Sequence, residues 1–257
     1  MPSGLIEVGA EFATGGAEGE LAVLRERIAR AQVAQVGAGG RAIIVLEGLE
    51  GSLKLAVAKQ LAAALDPRFA ATHSVSPDRR RAGEGHWLAR FWRDLPARGR
   101  IALYMHSWYH RVLEDRVLGL AAEADWNRAH DEINEFESQQ RDHGTLIVKL
   151  MFHVTEAVRI RRLAEIEADE LAMAPTGPAE LRTSELRAAY DEALAHMLAQ
   201  NNMRWSPWTV VDADKPGPAL VTALTAVARA MEQAFVARPP AGQGSALPMR
   251  RMRAKAD

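Results

Sequence analysis

The stretch RAIIVLEGLEGSLKL, residues 41–55, decides the fold. Ile43, Ile44, Val45 and Leu46 make a short run rich in β-branched residues, the pattern of a strand buried on both faces of a parallel sheet. The run stops at Gly48, and a helical spacing follows in which Ala58, Leu61, Ala62 and Leu65 share one face. A strand turning directly into a helix is the opening of a βαβ unit.

The same alternation continues on both sides. Upstream, Leu21, Leu24, Ile28 and Ala31 recur at helical spacing before VGAGG (residues 36–40) interrupts the chain. Downstream the expected elements are a weak strand near Phe69–Val75, a helix carrying His86, Trp87, Phe91 and Trp92, and a strand Ile101–Met105. Helices are expected over Tyr109–Glu123 and Trp126–His143, a strand over Thr145–Val154 and a charged helix over Glu156–Ala172. A helix Leu181–Gln200, a strand Thr209–Val211 and a helix Ala219–Phe235 complete the pattern. Strands separated by helices predict right-handed crossovers and an α/β fold, a parallel sheet with helices on both faces. The predicted domain spans residues 18–237. Residues 1–17 and the basic tail 238–257 lack an apolar face and are read as flexible.

Composition narrows the chemistry. Cysteine is absent, which excludes disulfides, thiolate metal sites and a cysteine nucleophile. The formal net charge of −1 argues against nucleic acid as a partner but leaves room for a local basic track. Arg79, Arg80, Arg81, Arg90, Arg93, Arg111 and Arg116 crowd the segments beside the predicted cleft, and are read either as that track or as a solvated face. No unbroken run approaches the roughly 20 apolar residues of a membrane span, and no signal peptide opens the chain, so a cytoplasmic protein is expected.

Ligands of parallel sheets bind beyond the carboxyl ends of the strands, which directs attention to Gly48-Leu49-Glu50-Gly51-Ser52-Leu53-Lys54-Leu55. A phosphate loop reads G-x-x-x-x-G-K-[ST], its glycines letting backbone N–H groups wrap the phosphate. Gly48 and Lys54 are in register, but Leu53 and Leu55 stand at the second glycine and the hydroxyl position. On these residues alone, a phosphate loop and an ordinary strand-to-helix turn capped by Ser52 explain the segment equally well. A second candidate, Met105-His106-Ser107-Trp108-Tyr109-His110-Arg111, ends another strand. Within it, His106, His110 and Glu114 recur every four residues, a spacing that on one helix aligns two imidazoles and a carboxylate.

Together the two segments resemble the polyphosphate kinase 2 family, whose motifs read G-x-D-x-x-G-K-G and D-R-S-W-Y-x-R. The likeness extends through RFWRDLP and RGRIAL (Arg90 to Leu103), DEINEFE (Asp131 to Glu137), GTLIVKLMFHV with Lys149 and His153, and SPWTVVDADK (Ser206 to Lys215). It implies a three-layer P-loop-kinase-like fold and phosphoryl transfer between polyphosphate and nucleotides with Mg2+. The expected catalytic residues are Glu50, Lys54 and Arg111, with Glu50 also holding metal. The expected phosphate contacts are Gly48, Gly51, Ser52, Lys54, Arg111 and Arg116. The resemblance further implies a homo-oligomer, or a partner of an active relative.

The departures are specific. Leu53 and Leu55 replace glycines, Met105 replaces a metal-binding Asp, and His106 replaces an Arg. The family's basic lid has no counterpart in ELAMAPTGPAEL (residues 170–181). If position 53 needs a left-handed backbone, Leu costs about 1–2 kcal/mol there and its side chain is expected to crowd the phosphate seat. Weak catalysis, or a catalytically inactive module kept for binding or assembly, is the expected consequence.

Overall fold

The structure is a computed structural model, and it describes residues 15–74, 85–169 and 178–237. The expected mobility of the two ends, the Arg79–Arg81 cluster and most of the expected lid region lie outside the described residues.

Five strands pair in the order β2-β3-β1-β4-β5, every pair parallel. They are β1 (Arg41–Glu47), β2 (Ala70–Ser74), β3 (Ile101–Met105), β4 (Thr145–His153) and β5 (Trp208–Asp212). β1 is central because it is the strand most completely closed to water: Ala42 to Leu46 are wholly buried. Its side chains alternate between two cores. Ala42, Ile44 and Leu46 pack with helices α1 (Gly15–Gly37), α2 (Lys54–Ala64) and α8 (Pro216–Met231). Ile43 and Val45 pack with α3 (Ala89–Arg93), α5 (Glu123–Asp142) and α7 (Arg187–Asn201). Each fully buried Leu or Ile contributes roughly 1.5–3 kcal/mol, so any slip of β1 by one residue exchanges the two cores at prohibitive cost.

α8 continues into a π turn, Glu232–Val236. The combined helix Pro216–Val236 is long and apolar enough, by length and composition, to cross a bilayer. A search for unbroken apolar runs overlooks it because Arg229 and Glu232 interrupt the pattern. In the fold, Leu220, Leu224, Val227 and Met231 bury one face in the core shared with α1.

Three predicted helices are corrected. The expected helix through His86 and Trp87 is confined to α3, and the expected Leu181–Gln200 helix is a 3-10 turn (Ala179–Arg182) followed by α7. The expected Tyr109–Glu123 helix is broken into a 3-10 turn (Trp108–Arg111) and the short α4 (Glu114–Val117). Side-chain periodicity survives such breaks because 3-10 and α-turns place nearly the same residues inward.

Candidate active site

Gly48–Leu53 turns over the carboxyl edge of the sheet between β3 and β4, and three residues there have positive φ: Gly48 at 141°, Gly51 at 82° and Leu53 at 70°. A Cβ on Gly48 would stand 2.5 Å from the Phe152 carbonyl oxygen and 2.9 Å from Ser52 Oγ, so the position is closed to any side chain. Leu53 is the residue before α2 and adopts the left-handed conformation of a glycine, at a cost of about 1–2 kcal/mol. Its side chain packs against the core beneath α2, which accommodates the bulk expected to crowd the phosphate seat. Ser52 is buried and its Oγ has no hydrogen-bond partner, so it does not cap α2.

The loop is held from the far side by an arginine absent from the expected site. Arg162 of α6 (Glu156–Ala168) donates to the carbonyls of Gly51 (3.1 Å), Ala213 (2.7 Å) and Asp214 (3.0 Å), tying the turn to the end of β5. One turn earlier on that helix, the fully buried Arg159 donates to the carbonyls of Leu181 and Thr183 and pairs with Glu156. Two arginines three residues apart on one helical face were the available signal.

Glu156 receives Arg159, Ser184 and Arg187. Arg159 chiefly, against the opposing effect of burial, brings its carboxyl down from 4.5 to about 2. Because the folded value is the lower one, the stabilisation is complete above pH 4.5 and is lost as pH falls towards 2. In acid titrations of unfolding free energy, the gap between wild type and Glu156→Gln should therefore close across that window. A gap independent of pH would refute the coupling.

Lys54 opens α2 and is 4% exposed. Its Nζ lies 3.1 Å from Nε2 of His106, at the end of β3. His106 Nδ1 is 3.1 Å from Glu114 Oε1, and Nε2 is 3.9 Å from Glu50 Oε1. Burial alone would raise the Glu114 carboxyl, but His106, with Lys54 and His110 beyond it, holds it below its usual value. Glu47, the last residue of β1, accepts from both the backbone N–H and the hydroxyl of Ser107 at 2.7 Å. That carboxylate locks the start of the second motif to the end of β1, from which the Gly48 turn leaves, and nothing in its sequence position distinguished it from an ordinary strand end.

The expected metal ligands are less well served. His106 has φ 62° and stands outside any helix, so His106, His110 and Glu114 do not share a helical face. Among the described residues, no group of three or more His, Asp or Glu side chains is arranged to hold a cation. Met105 pairs with Leu46 beside the loop and offers only a thioether, a poor partner for a hard cation. Glu47 is committed to Ser107, leaving Glu50, at 22% side-chain exposure, as the carboxylate of the loop itself. This donor set does not fit a resident Mg2+.

The arginines divide. Arg111 lies 3.5 Å from Asp115 and 5.9 Å from the Trp87 ring centroid, and its buried Nε has no hydrogen-bond partner. Its neighbour His110 places Nδ1 2.6 Å from the Ser107 carbonyl, which assigns the proton to Nδ1 and leaves Nε2 to accept from Arg90 at 2.6 Å. Arg116 turns towards α5 and α7: it pairs with Glu192 at 2.8 Å and lies 4.1 Å over Trp126. No hydrogen bond or ion pair links Arg116 to the loop.

Trp108 and Phe91 are fully buried, as a core role predicts, whereas Trp92 is 44% exposed and meets Phe136 edge-on. Trp108 Nε1 and Tyr109 Oη both donate to Glu137 Oε1, at 3.0 and 2.7 Å. Lys149 of β4 completes this fully buried network, donating to Glu137 Oε2, Tyr109 Oη and the Asn201 carbonyl, each at 2.9 Å. Burial lowers the Lys149 ammonium and raises the Tyr109 phenol.

Comparison with known proteins points the same way as the two motifs. The family profile described as Polyphosphate kinase 2 matches residues 14–239. Over 193 residues the chain is 33% identical to a polyphosphate:AMP phosphotransferase of Pseudomonas syringae pv. tomato, covering 75% of this chain and 39% of that one. Over 175 residues it is 30% identical to an ADP-polyphosphate phosphotransferase 2 of Rhizobium meliloti, covering 68% and 57%. The chain thus spans about two fifths of the first relative's length and under two thirds of the second's. The crystal structure of Polyphosphate Kinase 2 from Arthrobacter aurescens TC1 shares the fold, with a TM-score of 0.78 at 22% identity over 91% of this chain and 87% of that one.

Proposed function

This chain belongs to the polyphosphate kinase 2 family, and from that premise we propose that it transfers phosphoryl groups between polyphosphate and a nucleotide, slowly, at the loop Gly48–Lys54. The observation that carries this reading is the loop's backbone: Gly51 and Leu53 both keep positive φ, although one of them is a leucine, and the turn delivers Lys54 to the head of α2 beside the end of β3. A bare strand-to-helix turn has no need of that strained conformation.

Phosphoryl transfer asks little covalent chemistry of a protein. It needs positioning and stabilisation of charge on the equatorial oxygens. The Ser52 N–H is spent on the Leu49 carbonyl at 3.2 Å, so the remaining backbone N–H groups of the loop and the N-terminus of α2 supply the dipoles for an anion in this reading, and Lys54 supplies a point charge. An oxygen of the nucleotide's terminal phosphate attacks the terminal phosphorus of polyphosphate. The bridging P–O bond breaks, and its electron pair leaves on the shortened chain. No protein group is phosphorylated. Glu50 and Arg111 border this path in our reading, while Arg116, already engaged with Glu192 and Trp126, is left out. Mg2+ is read as substrate, the counter-ion of the phosphates, because the donor set holds no resident ion. Losing one preorganised charge-stabilising group costs about 10²- to 10³-fold in rate, and Met105 is such a loss.

The test is turnover. Purified protein given polyphosphate, Mg2+ and AMP, ADP or GDP should form the next higher nucleotide, and Lys54→Ala should lower that rate by about 10²-fold or more. Absence of product with every acceptor would overturn the reading. The second reading, a catalytically inactive module for binding or assembly as a homo-oligomer or beside an active relative, is favoured by Met105 alone. It predicts polyphosphate affinity without turnover.

A further inference from the structure

His106 has no role in the motif that it interrupts, yet it is the residue that Lys54 touches. It is 4% exposed and stands at φ 62°, a conformation that histidine tolerates better than most side chains but that still costs free energy. The left-handed turn at the end of β3 brings the ring between three charged groups: Lys54 Nζ at 3.1 Å, Glu114 Oε1 at 3.1 Å and Glu50 Oε1 at 3.9 Å. Nε2 faces the ammonium, so it must be the lone-pair nitrogen for that contact to be a hydrogen bond, and the proton then resides on Nδ1, which lies 3.1 Å from Glu114 Oε1 without making a hydrogen bond to it. A carboxylate, an imidazole and an ammonium therefore stand in line from α4, through the end of β3, to the head of α2.

We infer that His106 is a positioning residue for Lys54: the ring, with the Glu114 carboxylate 3.1 Å behind it, accepts one N–H of the ammonium, and the remaining two N–H groups are left directed to phosphate. A lysine ammonium is a flexible point charge with rotatable donors and a large rotamer entropy. Tethering one donor from behind removes that freedom before the anion arrives, which is how preorganisation raises affinity. The inference rests on the proposed reading of the loop as a phosphate site, but it concerns a residue at which this chain departs from the family motif.

Equilibrium binding of inorganic polyphosphate, measured by calorimetry, separates the possibilities without requiring turnover. His106→Ala should weaken binding about tenfold, the scale of one hydrogen bond to a charged group. His106→Gln, whose amide oxygen can accept at the place of Nε2, should recover most of that loss. In a Lys54→Ala background, His106→Ala should add nothing, because the ring acts only through the ammonium. His106→Gly guards against misfolding, since it removes the ring and the left-handed penalty together and should fold with the same loss of affinity. An equal loss in both backgrounds, or no loss in the variant with Lys54 intact, would overturn the inference while leaving the loop as a phosphate site. Binding indifferent to Lys54→Ala would overturn the proposed function, and this inference with it.

Discussion

Replacing Lys149 by methionine should lower the unfolding free energy by about 3–5 kcal/mol, the cost of leaving one partner of a buried ion pair behind. Lys149 and Glu137 both have no exposed side-chain surface and lie 2.9 Å apart. With the ammonium gone, the Glu137 carboxylate keeps the donors of Trp108 and Tyr109 but loses its counter-charge. The carbonyl of Asn201 is deprived of its lysine donor at the same time. For a domain of this size the melting midpoint should fall by roughly 10 °C or more. Adding Glu137→Leu should recover only part of the loss, because the indole N–H and the phenol then have no acceptor in the core. Urea unfolding of the single and double variants measures both quantities. A single-variant change below about 1 kcal/mol would show that the pair is not closed to water in solution.

The second large effect belongs to Gly48. Alanine at this position should abolish polyphosphate-dependent turnover, by about 10²-fold or more, while lowering stability by only about 1–3 kcal/mol. The new Cβ would meet the Phe152 carbonyl oxygen at 2.5 Å, and φ is 141°, so both the contact and the torsion oppose it. β4 is fixed by its pairing with β1 and β5, so the loop must yield. A displacement of about 1 Å at a charge-stabilising site is enough to cost that factor in rate. A Gly48→Ala protein that turns over like wild type would mean that the reacting phosphates lie elsewhere.

Much of the architecture was legible from residue order. Ile43–Leu46, Ile101–Met105 and the run from Thr145 fall on strands, and Leu21, Leu24, Ile28 and Ala31 are buried on α1 as their spacing required. What failed was continuity. Trp108 to Val117 carries a helical spacing of apolar residues, but the chain there follows the sheet's rim through a 3-10 turn, because Ser107 is tied to Glu47 and caps Tyr109 instead of continuing β3 into a regular helix. Trp92 of α3 is 44% exposed, although its neighbour Phe91 is fully buried.

The site was legible only where a motif marked it. Gly48 and Lys54 could be named from their spacing. Glu47 and Arg162 could not, because their partners Ser107 and Gly51 lie 60 and 111 positions away and pairing at such distances leaves no periodic trace; Glu137 meets Lys149 from a different element, and Glu114, noted only for its spacing, meets His106 without sharing a helix with it. Arg116 illustrates the reverse: a guanidinium in a basic stretch, expected on phosphate, finds Glu192 and Trp126 first.

The order of residues by itself determined the α/β pattern, the location of the turn after β1 and the family likeness, because burial periodicity and local backbone demands are written residue by residue. Only the tertiary structure decided that Leu53 takes a glycine's conformation, that His106 meets Lys54, and that the neighbourhood of Met105 lacks the carboxylates for a resident cation. Those outcomes depend on strands packed side by side, where residues remote in sequence share one low-dielectric space and must satisfy each other's charge.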